Sequence, residues 1–173
     1  MENQVSSKSI ILNYGLYYGV AGVIINLVFY ALGMHLDPGV AGMALGLVVM
    51  LAAIILASKK FKFDNGGFMS WGQGVKIGIG VVLIGIIINI IYQQIFQNFI
   101  EPDFMDQVMA VTEQKMVDMG LSQEQIDAQM EMSKNFQGPL MQSAFTLLGG
   151  LFFGFVISAI TSAVMKKSEE ETY

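Results

Sequence analysis

The sequence contains no cysteine and no arginine among its 173 residues. The absence of cysteine excludes disulfides, thiolate nucleophiles and cysteine-ligated metals. Without arginine, the chain lacks the planar fork that usually binds phosphate and carboxylate groups, and a net charge of −5 offers no basic surface for nucleic acid. Charged residues make up only 13% of the chain, against roughly 25% in a soluble domain. We therefore expect a small membrane protein without a metal or cofactor.

What is present is a set of four long apolar segments, at about residues 10–33, 39–57, 75–95 and 144–164. A helix of about 20 residues covers the roughly 30 Å hydrocarbon core of a bilayer. The first segment is longer than the apolar part of a signal peptide and has no convincing cleavage site, so we expect an uncleaved anchor. The prediction is an all-α, four-span membrane protein with one integral membrane domain over residues 1–173.

Lysine placement predicts the orientation of these spans. Lys115 and Lys134 lie far from any span end on one side of the four-span topology. The other seven lysines fall on the opposite side: Lys8, Lys59, Lys60, Lys62, Lys76, Lys166 and Lys167. Both termini should therefore be cytoplasmic.

Parts of the first and third spans resemble each other. The run Gly22–Asn26 (GVIIN) matches Gly85–Asn89 (GIIIN), and Gly42–Gly46 in the second span corresponds to Gly150–Gly154 in the fourth. We interpret this as two helical hairpins in the same orientation, a parallel repeat. The alternative is chance, since small and β-branched residues often coincide in membrane spans.

Asn26 and Asn89 are the strongly polar residues at depth in these two spans. An amide in hydrocarbon costs several kcal/mol unless it is hydrogen-bonded. Each should face the bundle interior. There it would either form a structural hydrogen bond, with the other asparagine as a candidate partner, or line a solute path. No carboxylate is predicted inside a span, which disfavours a proton-coupled pump or an intramembrane hydrolase.

The fourth span carries four small residues at successive i+4 positions, Gly150, Gly154, Ser158 and Ser162. Small residues let helix backbones approach closely in a membrane. The strip could pack inside one bundle or form a homodimer seam.

Residues 97–142 form the only sizeable polar region, and an amphipathic, extramembrane helical hairpin is predicted within it at about residues 99–137. Pro102 suits a first helical position and Gly120 a helix stop. Ser122 and Gln125 have the spacing of a capping box. The solvated side of the hairpin is acidic.

The apolar face of the first hairpin helix includes Met105, Met109, Met116 and Met119. Methionine there usually fills space or contacts a partner; Cu(I) binding by thioethers is the less favoured hypothesis. His35, the only histidine, follows the first span beside Asp37, and we interpret it as an exposed turn residue.

The run Asn65–Gly74 (NGGFMSWGQG), which leads into a glycine-rich span, and the Pro102–Phe104 start of the hairpin carry a family resemblance. Over essentially its whole length the chain resembles the four-helix membrane proteins of domain-of-unknown-function family 4199, common in Bacteroidetes. The resemblance implies a bacterial inner-membrane protein and transfers no site residue.

The function expected from the sequence is a non-enzymatic scaffold or partner-binding protein of the inner membrane, with an acidic periplasmic hairpin. Its expected partners are the lipid bilayer, further copies of the chain, and an unidentified membrane or periplasmic protein. The alternative is a small oligomeric transporter or channel with Asn26 and Asn89 on the path. An enzyme is disfavoured because no nucleophile, base or metal constellation is present.

Overall fold

The computed structural model describes residues 6–136 and 138–167. These ranges contain six α-helices and no β-strand: α1 Ser7–Ala31, α2 Gly39–Asp64, α3 Trp71–Ile95, α4 Phe104–Asp118, α5 Gln123–Lys134 and α6 Pro139–Met165. A π-helical turn, Phe96–Ile100, continues α3. Four helices (α1, α2, α3 and α6) are long and apolar enough to cross a membrane. The predicted all-α class with four candidate spans is confirmed.

Two helices are longer at the lysine-rich end than the apolar runs indicated. Helix α2 continues to Asp64, through the lysines that follow the predicted span. Helix α3 begins at Trp71 because Ser70 and Gln73 form a capping box: the Ser70 hydroxyl accepts from the Gln73 N–H at 3.2 Å, and the Gln73 side chain accepts from the Ser70 N–H at 2.8 Å. The S-x-x-Q spacing was a signal that hydropathy alone overlooked.

Helix α3 lies at the centre of the bundle, between α1 and α6. On the α1 side, Gly15 and Gly19 leave room for Ile84 and Ile88, whose side-chain atoms lie where a glycine Cβ would stand. Both sets advance in the same direction along the chain, so α1 and α3 are parallel. Helix α2 adds Ile54, which is completely buried.

On the other side, α3 and α6 pack antiparallel in one continuous register. At each step of four residues, a glycine of one helix faces a side chain of the other helix. The pairs are Gly74–Ser162, Gly78–Ser158, Val82–Gly154 and Ile86–Gly150. A Cβ on any of these glycines would collide with its partner, so glycine is what permits this close approach. We call these four pairs the seam.

The lysine-rich end is held together by loop contacts, and we call it the lysine end. Met69 and Lys167 exchange two backbone hydrogen bonds of 3.0 Å. The Lys62 ammonium donates to the Met165 carbonyl at 2.8 Å. The end of α2, the loop before α3 and the end of α6 therefore meet.

At the opposite end, which we call the hairpin end, α4 and α5 form the predicted helix pair. Gly120 has a φ of +77°, and the Leu121 N–H donates to the Met116 carbonyl at 3.1 Å, so Gly120 ends α4 in a Schellman motif. Ser122 and Gln125 form the predicted capping box. The prediction for Pro102 is wrong: it precedes the helix, which starts at Phe104 after a turn.

Candidate functional site: an amide-lined chamber

A cavity of about 610 Å³ lies between the hairpin end of the bundle and the α4–α5 pair. Its volume is within the range of ligand sites, roughly 300–1,000 Å³. Its polar lining is dominated by six carboxamides: Asn26, Asn89, Gln93, Gln94, Gln97 and Gln142. We call it the amide chamber.

The rest of the chamber lining is equally uncharged. Hydroxyls come from Ser133, Ser143 and Thr146. Apolar surface comes from Ile90, Phe104, Met105, Met109, Phe136 and Phe145. No charged side chain of the described ranges lines it. Amides both donate and accept hydrogen bonds, so the chamber suits an uncharged molecule that carries hydroxyl or amide groups.

The chamber continues the register of the seam. Two further steps of four residues along α3 and α6 bring Ile90 opposite Thr146 and Gln94 opposite Gln142, and all four line the chamber. In place of glycine and serine, these positions carry larger side chains, three of them polar. The same pair of helices thus forms a closed contact in one half and a cavity wall in the other.

Asn89 is fixed in place between α1 and α3. Its amide nitrogen donates to the Gly85 carbonyl at 2.8 Å and to the Gly19 carbonyl at 3.3 Å. Gly22 makes room for it, since a Cβ there would lie 2.5 Å from Asn89 Oδ1. Asn89 therefore joins two helices, with its Oδ1 close to Gly22 of α1.

Asn26 is placed differently. It is exposed, and within the described ranges it makes no hydrogen bond, to Asn89 or to any other residue. The two asparagines do come together as lining residues of the chamber. The mutual bond considered from the sequence is replaced by bonds from Asn89 to backbone carbonyls.

A second cavity of about 230 Å³ lies between α1, α2 and α3. We call it the side cavity. It shares Asn26 and Asn89 with the amide chamber, so these two amides stand between the two spaces. The remaining lining is mostly apolar or glycine: Tyr18, Gly22, Ile25, Phe29, His35, Pro38, Gly42, Gly46 and Val49.

His35 is not the exposed turn residue inferred from the sequence; that interpretation is wrong. Its side chain is only 10% exposed, and its Nε2 lies 2.8 Å from Glu101 Oε2, which is on a side chain 13% exposed. The His35 ring packs edge-on against Tyr30 and stacks on Phe104, with centroids 4.9 and 6.1 Å away. Glu101 and Phe104 thus cover the turn that contains His35. Because they are distant from His35 in the chain, the sequence gave no signal of this contact.

An ion pair also ties the hairpin to the same turn. Lys115 Nζ lies 2.6 Å from Asp37 Oδ1, and both side chains are about half exposed. The hydrogen bond from Lys115 lowers the pKa of the Asp37 carboxyl below its usual range. One buried pair and one exposed pair therefore connect α4 and the segment before it to the α1–α2 turn.

The four methionines proposed as a partner face occupy three different environments. Met105 and Met109 line the chamber, and Met105 Sδ accepts hydrogen bonds from the Gln142 and Gln97 side chains at 3.2 and 3.6 Å. Met116 is buried, whereas Met119 is 69% exposed. In the described ranges, no group of three or more His, Asp or Glu residues could hold a metal ion.

The small strip of α6, Gly150, Gly154, Ser158 and Ser162, lies against α3 in the seam. Ser158 and Ser162 are completely buried there. The sequence had singled out none of Gln93, Gln94, Gln97 and Gln142 as site residues. Their concentration where two spans meet the hairpin was the available signal for the chamber.

Comparison with known proteins places the chain beside one described family. The model of a family described as "Protein of unknown function (DUF4199)" matches residues 13–167. No curated protein and no solved structure matches the chain significantly.

Proposed function

The chain belongs to the family of proteins of unknown function DUF4199, and on that premise we propose that it is a non-enzymatic, multi-pass protein of a bacterial inner membrane that binds an uncharged ligand in the amide chamber. Both termini lie in the cytoplasm, and α4–α5 covers the chamber from the periplasm. This proposal is compatible with a solute path past Asn26 and Asn89, because binding of the ligand in the chamber would be the first step of transport.

One observation carries this proposal: a cavity of ligand size is lined by six carboxamides and by no charged residue of the described ranges. Polar groups are expensive to keep unpaired away from water. Asn89, Gln97 and Gln142 already bond to groups of the protein. Because amides both donate and accept hydrogen bonds, six of them around one space still favour a site that exchanges hydrogen bonds with a bound molecule or with water. If α4 and α5 only packed against the end of the bundle, apolar residues would suit that contact better.

A scaffold role is the second candidate, because the outside of the hairpin also carries exposed apolar side chains. Val117, Met119 and Met132 are 49%, 69% and 59% exposed. They stand beside exposed acids on α4 and α5, such as Glu113 and Glu124. A membrane or periplasmic protein with a basic, partly apolar surface would complement this face.

The chamber proposal is tested by cysteine labelling, which is clean because the native chain has no cysteine. Ser143→Cys places a thiol in the chamber with little change in size, and Ala128→Cys places one on the exposed surface of α5. In lipid nanodiscs, the thiols are treated with neutral N-ethylmaleimide or an anionic sulfonated maleimide. Because an uncharged chamber excludes ions, the neutral-to-anionic rate ratio at position 143 should exceed that at position 128 by about tenfold. Equal ratios would overturn the proposal.

The orientation is tested separately with Glu113→Cys in intact cells. The proposed topology places this exposed α4 position in the periplasm. A membrane-impermeant maleimide should label it without permeabilising the inner membrane. Labelling only after permeabilisation would place the hairpin in the cytoplasm.

A further inference from the structure

We propose that the ligand is an uncharged amphiphile, whose hydroxyl- or amide-bearing head occupies the amide chamber and whose apolar chain occupies the side cavity. This inference rests on the proposed function and specifies the class of its ligand. It joins two spaces that share Asn26 and Asn89 in their walls.

The size and lining of the side cavity support a chain there. Its volume of about 230 Å³ is below the roughly 300–1,000 Å³ of independent ligand sites, so it fits part of a larger molecule. Ile25, Phe29 and Val49 give it apolar walls. Gly42 and Gly46 leave α2 without side chains along one wall, and Gly46 is exposed. The cavity therefore opens on the surface of a candidate membrane span, where a lipid chain could enter sideways.

His35 provides an independent sign of a ligand. Its ring is nine-tenths buried and lines the side cavity. Both ring nitrogens are buried and neither makes a hydrogen bond of good geometry within the described ranges, although Nε2 lies 2.8 Å from Glu101 Oε2. A buried polar atom of this kind requires an explanation. A hydroxyl at the junction of head and chain would satisfy it.

The two shared asparagines complete the head site. Asn89 is held by two backbone carbonyls and presents a fixed acceptor. Asn26 has no partner in the described part of the chain and is available to donate and accept. The chain has no arginine, and no lysine of its described part lines either cavity. This disfavours a phosphate head, which proteins usually bind with these cations. A glycerol or sugar head matches the amides instead.

The experiment measures binding of monooleoylglycerol, an uncharged amphiphile, to the full-length protein. The protein is placed in phosphatidylcholine nanodiscs that contain a small fraction of the probe, and bound probe is counted by native mass spectrometry. Oleoyl lysophosphatidylglycerol has the same chain with an anionic phosphate head, and free glycerol has the head without the chain. We expect binding of monooleoylglycerol, about tenfold weaker binding of the anionic lipid, and none of glycerol.

Gly46→Leu blocks the side cavity without a backbone clash, because a Cβ at position 46 meets no atom within 4 Å. Gly149→Leu on α6 is the matched control: its Cβ is equally free, and position 149 lines neither cavity. Gly46→Leu should weaken monooleoylglycerol binding about tenfold, since several methylenes lose their site, whereas the control should bind like the wild type. Val49→Phe fills the same cavity and decides the matter if Gly46→Leu does not fold.

The outcomes separate this inference from the proposed function. Equal binding by the two leucine variants, or equal binding of the anionic lipid, overturns the amphiphile. Binding of glycerol as strong as that of monooleoylglycerol identifies a soluble solute and also overturns it. In each case the neutral-reagent preference at Ser143→Cys would leave the chamber standing. If the preference for the neutral reagent at position 143 were lost as well, both the amphiphile and the proposed function of the chamber would be overturned.

Discussion

Helices α3 and α6 form a closed seam in one half of the molecule and the wall of a cavity in the other. Near the lysine end, glycine and serine bring the backbones into contact, and Ser158 and Ser162 have no exposed surface. Near the hairpin end, the same register carries Ile90, Gln94, Gln142 and Thr146 around open space. The difference distinguishes two roles: the seam stabilises the bundle, and the chamber, in the proposed function, presents amide and hydroxyl groups to a ligand.

The largest expected effect comes from overfilling the seam. In Gly78→Leu the new side chain collides with Ser158, so we expect a loss of about 3 kcal/mol in the free energy of unfolding. Gly149→Leu meets no neighbour and should change it by less than about 1 kcal/mol, toward higher stability from helix propensity. Denaturant titration in mild detergent, followed by circular dichroism, measures both. Equal losses would show that the seam is not tightly packed.

The next effect concerns the buried tie at the hairpin end. His35→Leu leaves Glu101 without its partner inside the contact, which should cost about 1–3 kcal/mol and speed hydrogen exchange in α4 and α5. Lys115→Gln removes the exposed tie and should leave exchange nearly unchanged. If Lys115→Gln loosened the hairpin as much as His35→Leu, the buried pair would not be the main anchor.

The two asparagines should differ in their contribution to stability. Asn89→Leu removes two bonds to α1 and α3 carbonyls and should lower the free energy of unfolding by about 0.6–2 kcal/mol. Asn26→Leu removes no bond of the described structure and should change it by less than about 0.5 kcal/mol. Thermal unfolding in detergent distinguishes them. A larger loss at Asn26 would reverse their assigned roles.

The smallest effect is the titration of Asp37. Because Lys115 lowers the pKa of this carboxyl, the pair contributes above the usual range of an aspartate and is lost as the pH falls through the lowered pKa. Lys115→Gln should raise the Asp37 pKa toward its ordinary value. NMR of the carboxyl carbon reports the shift; an unchanged pKa would mean that the pair does not form in solution.

Local patterns predicted much of the fold. Apolar length predicted the four candidate spans, and Gly120 with the Ser122–Gln125 box predicted the turn between α4 and α5, because hydropathy and capping act within a few residues. The start of α3 was missed because the Ser70–Gln73 box lies before the apolar run. The internal duplication stays a prediction. Helix α3 packs against both α1 and α6, and this packing does not test whether the two hairpins are copies of each other.

The site was predicted only in part. Asn26 and Asn89 were expected to face the interior because an amide in a long apolar segment is conspicuous; both line the chamber, but Asn26 is exposed. Their neighbours Gln97 and Gln142 join them only when the hairpin returns over the bundle. The burial of His35 likewise depends on Glu101, far along the chain, and no local pattern encodes such a contact.

Three isosteric variants on one helix test the contrast between seam and chamber most directly. Ser143→Cys, Ser158→Cys and Ser162→Cys are treated with N-ethylmaleimide in lipid nanodiscs, with denatured samples as the full-labelling control. The account predicts that position 143 is modified while positions 158 and 162 stay unmodified until the protein unfolds. Equal labelling at all three positions, or protection at 143 in the protein without added ligand, would contradict it.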